Sequence, residues 1–327
     1  MIIYIIITFL IFFFFTKASY KLRLVDLPND RKRHSRPVAY TGGVAICFAY
    51  IFSIYLFEVP FNELNLIISI GSLIAAVGFL DDKQNLNIGG KLSLQIIPMI
   101  YLIIFENLNL NQIGDYNIIK IELNSFSIPF TIFCLIFLVN AFNYFDGLDG
   151  ILSCTSISVL AILYFLTTNE DIKMYLIIIF LPLCVFLLFN FSVFNLPKLF
   201  LGDSGSLFLG FLIGFTLIYF ANQRIAHPII LAWSIAIFVY EFLSINLIRF
   251  ISKKNIFKPG QDHLHHILFK KNKSILLTNF LIVCSNLLLF TIGYVSFKFI
   301  NPLISLVLFI SCFVIFFIFR NNSFSKK

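Results

Sequence analysis

Long apolar segments separated by short polar stretches run through the chain from one end to the other. Most of them hold roughly 14 to 22 residues, close to the ~20 that a helix needs to cross ~30 Å of hydrocarbon. They lie at about 1–16, 42–57, 64–80, 92–105, 127–142, 151–167, 173–190, 205–220, 228–251, 275–297 and 299–319. The pattern predicts an all-α, polytopic integral membrane protein with about eleven transmembrane helices.

Composition supports the same interpretation. Of the 327 residues, 59% are hydrophobic and 12% are charged, a balance that excludes a soluble domain covered by polar side chains. The lipid bilayer is therefore the expected surroundings of the chain. No low-complexity tract, long linker or internal repeat is visible, and we expect a single transmembrane domain over residues 1–327.

The distribution of basic residues predicts the orientation. The first apolar segment has neither a preceding basic region nor a small-residue cleavage site, which favours a retained helix over a signal peptide. Lys and Arg accumulate in cytoplasmic loops, and with the N-terminus outside, all but four of the 24 fall on the cytoplasmic side. The C-terminus is then cytoplasmic. Because topology explains the net charge of +8, no nucleic-acid partner is expected.

Aspartates collect at the predicted cytoplasmic ends of the helices. They are Asp26, Asp30, Asp81, Asp82, Asp146, Asp149, Asp203 and Asp262. Short carboxylates from several loops suit Mg²⁺, which typically shares one or two carboxylates with substrate phosphates. We therefore expect the active site to face the cytoplasm. Its loops are at about 17–41, 81–91, 143–150, 191–204 and 252–274.

The adjacent pair Asp81 and Asp82 ends the third predicted helix. Neighbouring carboxylates repel one another unless a cation lies near them, so the pair indicates metal or phosphate chemistry. The alternative is a solvated helix end, although negative charge there opposes the helix dipole.

A polar stretch with two glycines follows the fifth predicted helix. Asn143, Asp146 and Asp149 are spaced by three, so a helical continuation would place their side chains on one face. Gly147 and Gly150 would allow a turn or a close approach to phosphate. A simple polar turn between helices is the alternative.

A glycine-flanked aspartate, Asp203, directly precedes the eighth predicted helix. Asp203 and Ser204 could cap this helix. The positive end of a helix is equally a good position for an anion and its metal ion. The two roles are compatible, and both stay open.

Three of the five histidines, His263, His265 and His266, fall within four residues in the basic loop after the ninth segment. Their spacing lacks the companion cysteines or the helical His pair of a zinc site. Hydrogen bonding to a diphosphate, or proton transfer, suits them better. His227 stands apart and is expected to be an ordinary loop residue.

The basic residues of the first loop, including Arg31, Lys32 and His34, are candidate phosphate partners. Positive-inside topology alone would also supply such charges.

Taken together and in order from about Asp26 to His266, these motifs resemble the polyprenyl-phosphate N-acetylhexosamine-1-phosphate transferases of glycosyltransferase family 4. The chain looks more distantly like phospho-N-acetylmuramoyl-pentapeptide transferase. It departs from the family's pattern where Glu241 stands in place of an expected aspartate and where Asp262 directly adjoins His263.

The resemblance implies roles for the matched residues. The catalytic residues would be Asp81, Asp82, Asp149, His265 and His266. Substrate would be bound by Arg31, Lys32, His34, Lys91, Asn143, Asp146 and His263. A Mg²⁺ or Mn²⁺ ion would be held by Asp203 and Asp149.

The implied reaction moves N-acetylhexosamine-1-phosphate from a UDP-sugar to undecaprenyl phosphate, with release of UMP. This step starts lipid-linked cell-envelope polysaccharides such as the O-antigen of lipopolysaccharide, at the bacterial inner membrane. Peptidoglycan-precursor transfer is an alternative within the same class. A transporter is disfavoured because the acids gather at one predicted face rather than at the midplane. The UDP-sugar and the oligomeric state, a homodimer included, stay open.

Overall fold

The computed structural model describes residues 1–28, 36–57, 62–255, 260 and 262–325, and within them thirteen α-helices carry most of the chain. The helices are α1 (Ile2–Leu22), α2 (Gly42–Leu56), α3 (Asn62–Gln84), α4 (Ile88–Phe105), α5 (Ser127–Phe145), α6 (Ile151–Leu166), α7 (Glu170–Asn190), α8 (Gly202–Asn222), α9 (Pro228–Ser234), α10 (Ala236–Ile251), α11 (Leu264–Asn272), α12 (Ile275–Phe299) and α13 (Pro302–Ser325). Two antiparallel strand pairs join them: β1 (Val25–Asp26) with β2 (Val38–Ala39), and β3 (Gln112–Asp115) with β4 (Lys120–Glu122).

The helices confirm an all-α, multi-pass membrane protein. Among the described residues, eight helices are long and apolar enough to cross a bilayer, or nine if the bent pair α9 and α10 forms one span. Helices α2 and α6 are apolar but shorter. Every apolar segment of the sequence coincides with a helix, and only 228–251 is broken, by a bend of 73° between α9 and α10. The count of eleven spans and the orientation of the termini stay predictions.

Side-chain caps set several of the helix boundaries. The Asn169 side chain accepts hydrogen bonds from two backbone amides at the start of α7, and Asn87 accepts one at the start of α4. At α9 the cap is His227, whose Nδ1 accepts from the Ile229 amide at 3.2 Å. Such caps satisfy amide groups that have no partner within the helix. The expectation that His227 is an ordinary loop residue is therefore wrong.

The chain divides into two compact units, and the first contains residues 1–109, 132–143 and 167–216. In this unit α2 packs against α1, α3 and α7, and α3 also packs against α4. Among the described helices that are long enough to cross a bilayer, α8 is the most enclosed, with 94% of its apolar stretch buried. Its first turn lies directly against α3, where a side chain on Gly78 would collide with the Asp203 backbone. Only glycine at 78 permits this approach.

The second unit contains residues 110–131, 144–166 and 217–327. Helix α12 is central to it and packs against α6, α9, α10, α11 and α13. Asn286 of α12 donates to the Ser158 hydroxyl at 3.0 Å and to the Ser234 carbonyl at 3.1 Å. The second bond satisfies a carbonyl beside the bend between α9 and α10, where helical pairing is interrupted. The assignment of the whole chain to one transferase domain stays a prediction.

Candidate active site

A charged cluster in the first unit brings together residues that lie far apart in sequence. The Lys91 ammonium, from the first turn of α4, lies 2.6 Å from Asp81 Oδ2 and 2.6 Å from Asp203 Oδ2. Asn143 Nδ2 donates to Asp203 Oδ1 at 2.9 Å and to the Ser206 hydroxyl at 2.9 Å. Four of the residues selected from the sequence thus meet where α3, α4, α5 and α8 begin or end.

The two adjacent aspartates make different contacts. Asp81 binds Lys91, and its Oδ1 accepts from the Leu86 amide at 2.8 Å. Asp82 Oδ2 instead accepts from the backbone amides of Asp203 and Ser204, at 2.9 and 3.4 Å. Asp82 therefore caps the positive end of α8 from a neighbouring helix.

This contact changes the interpretation of Asp203. The sequence left open whether Asp203 and Ser204 cap their own helix, but Asp82 fills that position. The Asp203 carboxylate points instead to Lys91 and Asn143. It is thereby available for a cation or a charged substrate.

Asp81 and Asp203 offer carboxylate oxygens, the kind of ligand that a divalent metal ion such as Mg²⁺ takes in proteins. Lys91 already places a positive charge between the carboxylates of Asp81 and Asp203, the position where a cation is electrostatically favoured. Among the described residues no group of three or more His, Cys, Asp or Glu side chains could hold a metal by itself. Mg²⁺ is usually bound by one or two protein carboxylates and takes its other ligands from substrate phosphates and water, so two carboxylates are enough.

The stretch after α5 does not continue as a helix, so the condition under which Asn143, Asp146 and Asp149 would share one helical face is not met. Helix α5 ends at Phe145, and Gly150 adopts φ +73°, a left-handed conformation that favours glycine. Asn143 belongs to the first unit, and Asp146 and Asp149 belong to the second.

In the second unit this turn is tied to α12, since the Asp149 backbone carbonyl accepts from Asn279 Nδ2 at 2.9 Å. The predicted pairing of Asp149 with Asp203 on a metal stays a prediction.

The histidine segment occupies the start of α11 in the second unit. The rings of His263 and His265 stack at 5.5 Å, and Tyr144 and Phe145 place their rings edge-on against them. His263 and His265 are buried.

Gly147 has a different reason to be glycine from the one that the sequence suggested. A side chain at this position would collide with the Nε2 end of the His265 ring. The absent side chain therefore makes room for a histidine of the same unit.

A buried network of ion pairs adjoins the histidine segment. Glu241 of α10 accepts two hydrogen bonds from Arg320 of α13, both at 2.9 Å. Arg249 binds both carboxylate oxygens of Asp262, at 3.0 and 2.7 Å. Burial alone raises the pKa of Asp262, but the hydrogen bonds and charge of Arg249 outweigh it and hold that pKa below its ordinary value.

Sequence reasoning missed Arg320, which it counted as one more cytoplasmic cation. The available signal was Glu241, the one acid placed inside an apolar segment. A carboxylate in such a place needs a cationic partner. Arg320 is a cation close to the end of an apolar segment and could have been considered for that role.

The basic residues of the first loop, Arg31, Lys32 and His34, lie outside the described residues. Their role as phosphate partners stays a prediction.

The fold defines a multi-pass helical membrane protein, with an aspartate–lysine cluster in its first unit and a buried histidine segment in its second. The model of the family described as glycosyl transferase family 4 matches residues 64–221, which include that cluster.

Named relatives resemble a much larger part of the chain. The undecaprenyl-phosphate alpha-N-acetylglucosaminyl 1-phosphate transferase of Escherichia coli (strain K12) is 26% identical over 319 residues, 94% of this chain and 87% of the relative. The protein of the same name from Yersinia pestis is 28% identical over 313 residues, 92% of this chain and 85% of its own. These matches confirm the predicted resemblance to the polyprenyl-phosphate N-acetylhexosamine-1-phosphate transferases.

Proposed function

We propose that this protein transfers N-acetylhexosamine-1-phosphate from a UDP-sugar to undecaprenyl phosphate and releases UMP. The observation that carries the proposal is the cluster of Asp81, Lys91, Asn143 and Asp203, which lies within the region matched by the family. Relatives that match most of the chain bear names that describe this transfer. UDP-N-acetylglucosamine is the first donor to test.

The reaction must bring two anionic phosphates together, which is electrostatically unfavourable without positive charge. A bound Mg²⁺ or Mn²⁺ would neutralise the diphosphate and the leaving UMP. Asp81 and Asp203 would hold it, and Asn143 fixes the Asp203 carboxylate by a hydrogen bond. Lys91 adds a positive charge beside the same carboxylates.

The chemical step is a displacement at phosphorus. An oxygen of the lipid phosphate forms a bond to the sugar-linked phosphorus, and the bond from that phosphorus to UMP breaks. By resemblance, His263, His265 and His266 would bind the diphosphate. An aspartyl-phosphate intermediate would give the same products in two displacements.

The active site would face the cytoplasm of the bacterial inner membrane. The support is the one-sided distribution of Lys and Arg, together with the predicted position of the aspartates at the same side. A cytoplasmic site has direct access to nucleotide sugars, while undecaprenyl phosphate enters from the bilayer.

The proposal is tested by incubating the purified protein with undecaprenyl phosphate, Mg²⁺ and a panel of UDP-sugars. We expect UMP release and sugar label in the lipid fraction with at least one UDP-N-acetylhexosamine. Asp203→Asn should lower turnover by about 100-fold or more and leave the protein folded, because it weakens the charge at the metal position. Absence of lipid label with every donor would contradict the proposed function, and near-normal turnover of the variant would exclude Asp203 from the metal site.

A further inference from the structure

A guanidinium near the C-terminus joins three parts of the second unit. Arg320 is fully buried, and its Nε and Nη2 donate to the two oxygens of Glu241, at 2.9 Å each. The same Nη2 donates to the Asp262 carbonyl at 2.7 Å. One side chain of α13 thus holds a carboxylate of α10 and the backbone immediately before the histidines.

Glu241, held by Arg320, in turn contacts the start of α11. Its Oε1 accepts from the Leu264 amide at 2.8 Å, at the first residue of α11. The preceding residue, His263, makes no side-chain cap of its own. Glu241 therefore caps α11 from another helix, and a negative charge is favourable there.

The charges of the network balance. Glu241 and Asp262 supply two negative charges, and Arg320 and Arg249 supply two positive charges. A buried carboxylate without a charged partner is strongly unfavourable, so the ion pair with Arg320 stabilises Glu241 as a charged cap.

From these contacts we propose that Arg320 is a positioning residue for the histidine segment: it fixes the start of α11 and so the placement of the His263 and His265 rings. This inference rests on the proposed function, because it gives Arg320 a role in placing the histidines that would bind the diphosphate. Arg320 itself is not placed at the reacting atoms.

Three variants separate positioning from stability. Arg320→Met should reduce kcat by about 100-fold, the size expected when a site is displaced by about 1 Å. Arg320→Lys keeps the charge but loses the forked geometry, so about tenfold should be lost. The double variant Glu241→Gln with Arg320→Met removes both charges and should recover the wild-type thermal stability, yet remain slow because the bond to the Asp262 carbonyl is missing.

Hydrogen exchange provides a measurement that does not need activity. In Arg320→Met and in the double variant, amides of residues 263–267 should exchange faster, while those in the middle of α12 stay unchanged. Ile318→Ala, at a residue of α13 that is 53% exposed, is the control and should alter neither exchange nor kcat.

Recovery of kcat together with stability in the double variant would show a purely structural role and overturn the proposal. So would unchanged exchange in residues 263–267. If the wild-type protein transfers no sugar-1-phosphate, the proposed function fails, and the exchange measurement still tests the positioning of α11.

Discussion

At the residue scale, one added methyl group at Gly147 should disturb the histidine segment. Its Cβ would occupy the place of the His265 ring end. We expect Gly147→Ala to lower kcat by about 100-fold through displacement of that ring. The free energy of unfolding should fall by about 1–3 kcal/mol, as for overpacking.

Gly89→Ala is the matched control for this substitution. A Cβ at Gly89 would meet only the Asn87 side-chain oxygen, at an ordinary 3.7 Å. Activity and thermal unfolding of the two variants are measured side by side in detergent. Equal activity of Gly147→Ala and Gly89→Ala would contradict the contact with His265.

The sequence was a better guide to which residues belong to the cluster than to the contacts that each of them makes. Asp81, Lys91, Asn143 and Asp203 were selected from motifs and do meet in one cluster. Asp82 was grouped with Asp81 because the two are adjacent. Neighbouring side chains on a helix point in directions about 100° apart, and this geometry sends Asp82 to the start of α8.

At the element scale, the capping of α8 by Asp82 is a prediction about stability. Asp82→Ala removes the acceptor for two backbone amides and should cost about 1–2 kcal/mol of unfolding free energy. Asp82→Asn keeps an acceptor oxygen and should be about 1 kcal/mol more stable than the alanine variant.

Thermal unfolding of both variants checks this prediction. Asp171→Ala is the control, because Asp171 is an exposed acid in the first turn of α7, and its loss should change stability by less than about 0.5 kcal/mol. If the alanine and asparagine variants of Asp82 unfold together, Asp82 does not act as a cap.

Helix α9 should be sensitive to pH through His227. Burial lowers the pKa of this histidine below its ordinary 6.5, although the hydrogen bond to the Asp115 backbone acts in the opposite direction. The neutral ring accepts from the Ile229 amide, and a protonated ring cannot. Its contribution to stability is therefore present above pH 6.5 and is lost as pH falls below that value.

His227→Asn separates the cap from the titration. Asparagine is also a good N-cap, so the variant should fold. We expect the unfolding temperature of the wild type to fall between pH 7.5 and pH 5, and that of the variant to fall less. Unfolding temperatures are measured for both proteins across this range. Identical pH dependence would mean that His227 does not carry the effect.

At the scale of the whole molecule, the alternation of apolar and polar segments was sufficient to place every described helix except the short α11, which lies in the predicted loop 252–274. Each apolar segment became a helix because backbone groups inside a bilayer must pair within their own segment. The bend in residues 228–251 was not predictable, since hydropathy reports composition and not direction. The ion pair of Glu241 and Arg320 was also missed, because 79 residues separate the partners and no local pattern connects them.

In the proposed reaction, the phosphate nearest the sugar is transferred to the lipid together with the sugar. UDP-N-acetylhexosamine labelled both in the sugar and in the β-phosphate, incubated with the protein, undecaprenyl phosphate and Mg²⁺, tests this directly. We expect the lipid product to carry both labels in the ratio of the donor, and UMP to be the nucleotide released. Sugar label in the lipid without phosphate label, accompanied by released UDP, would contradict it.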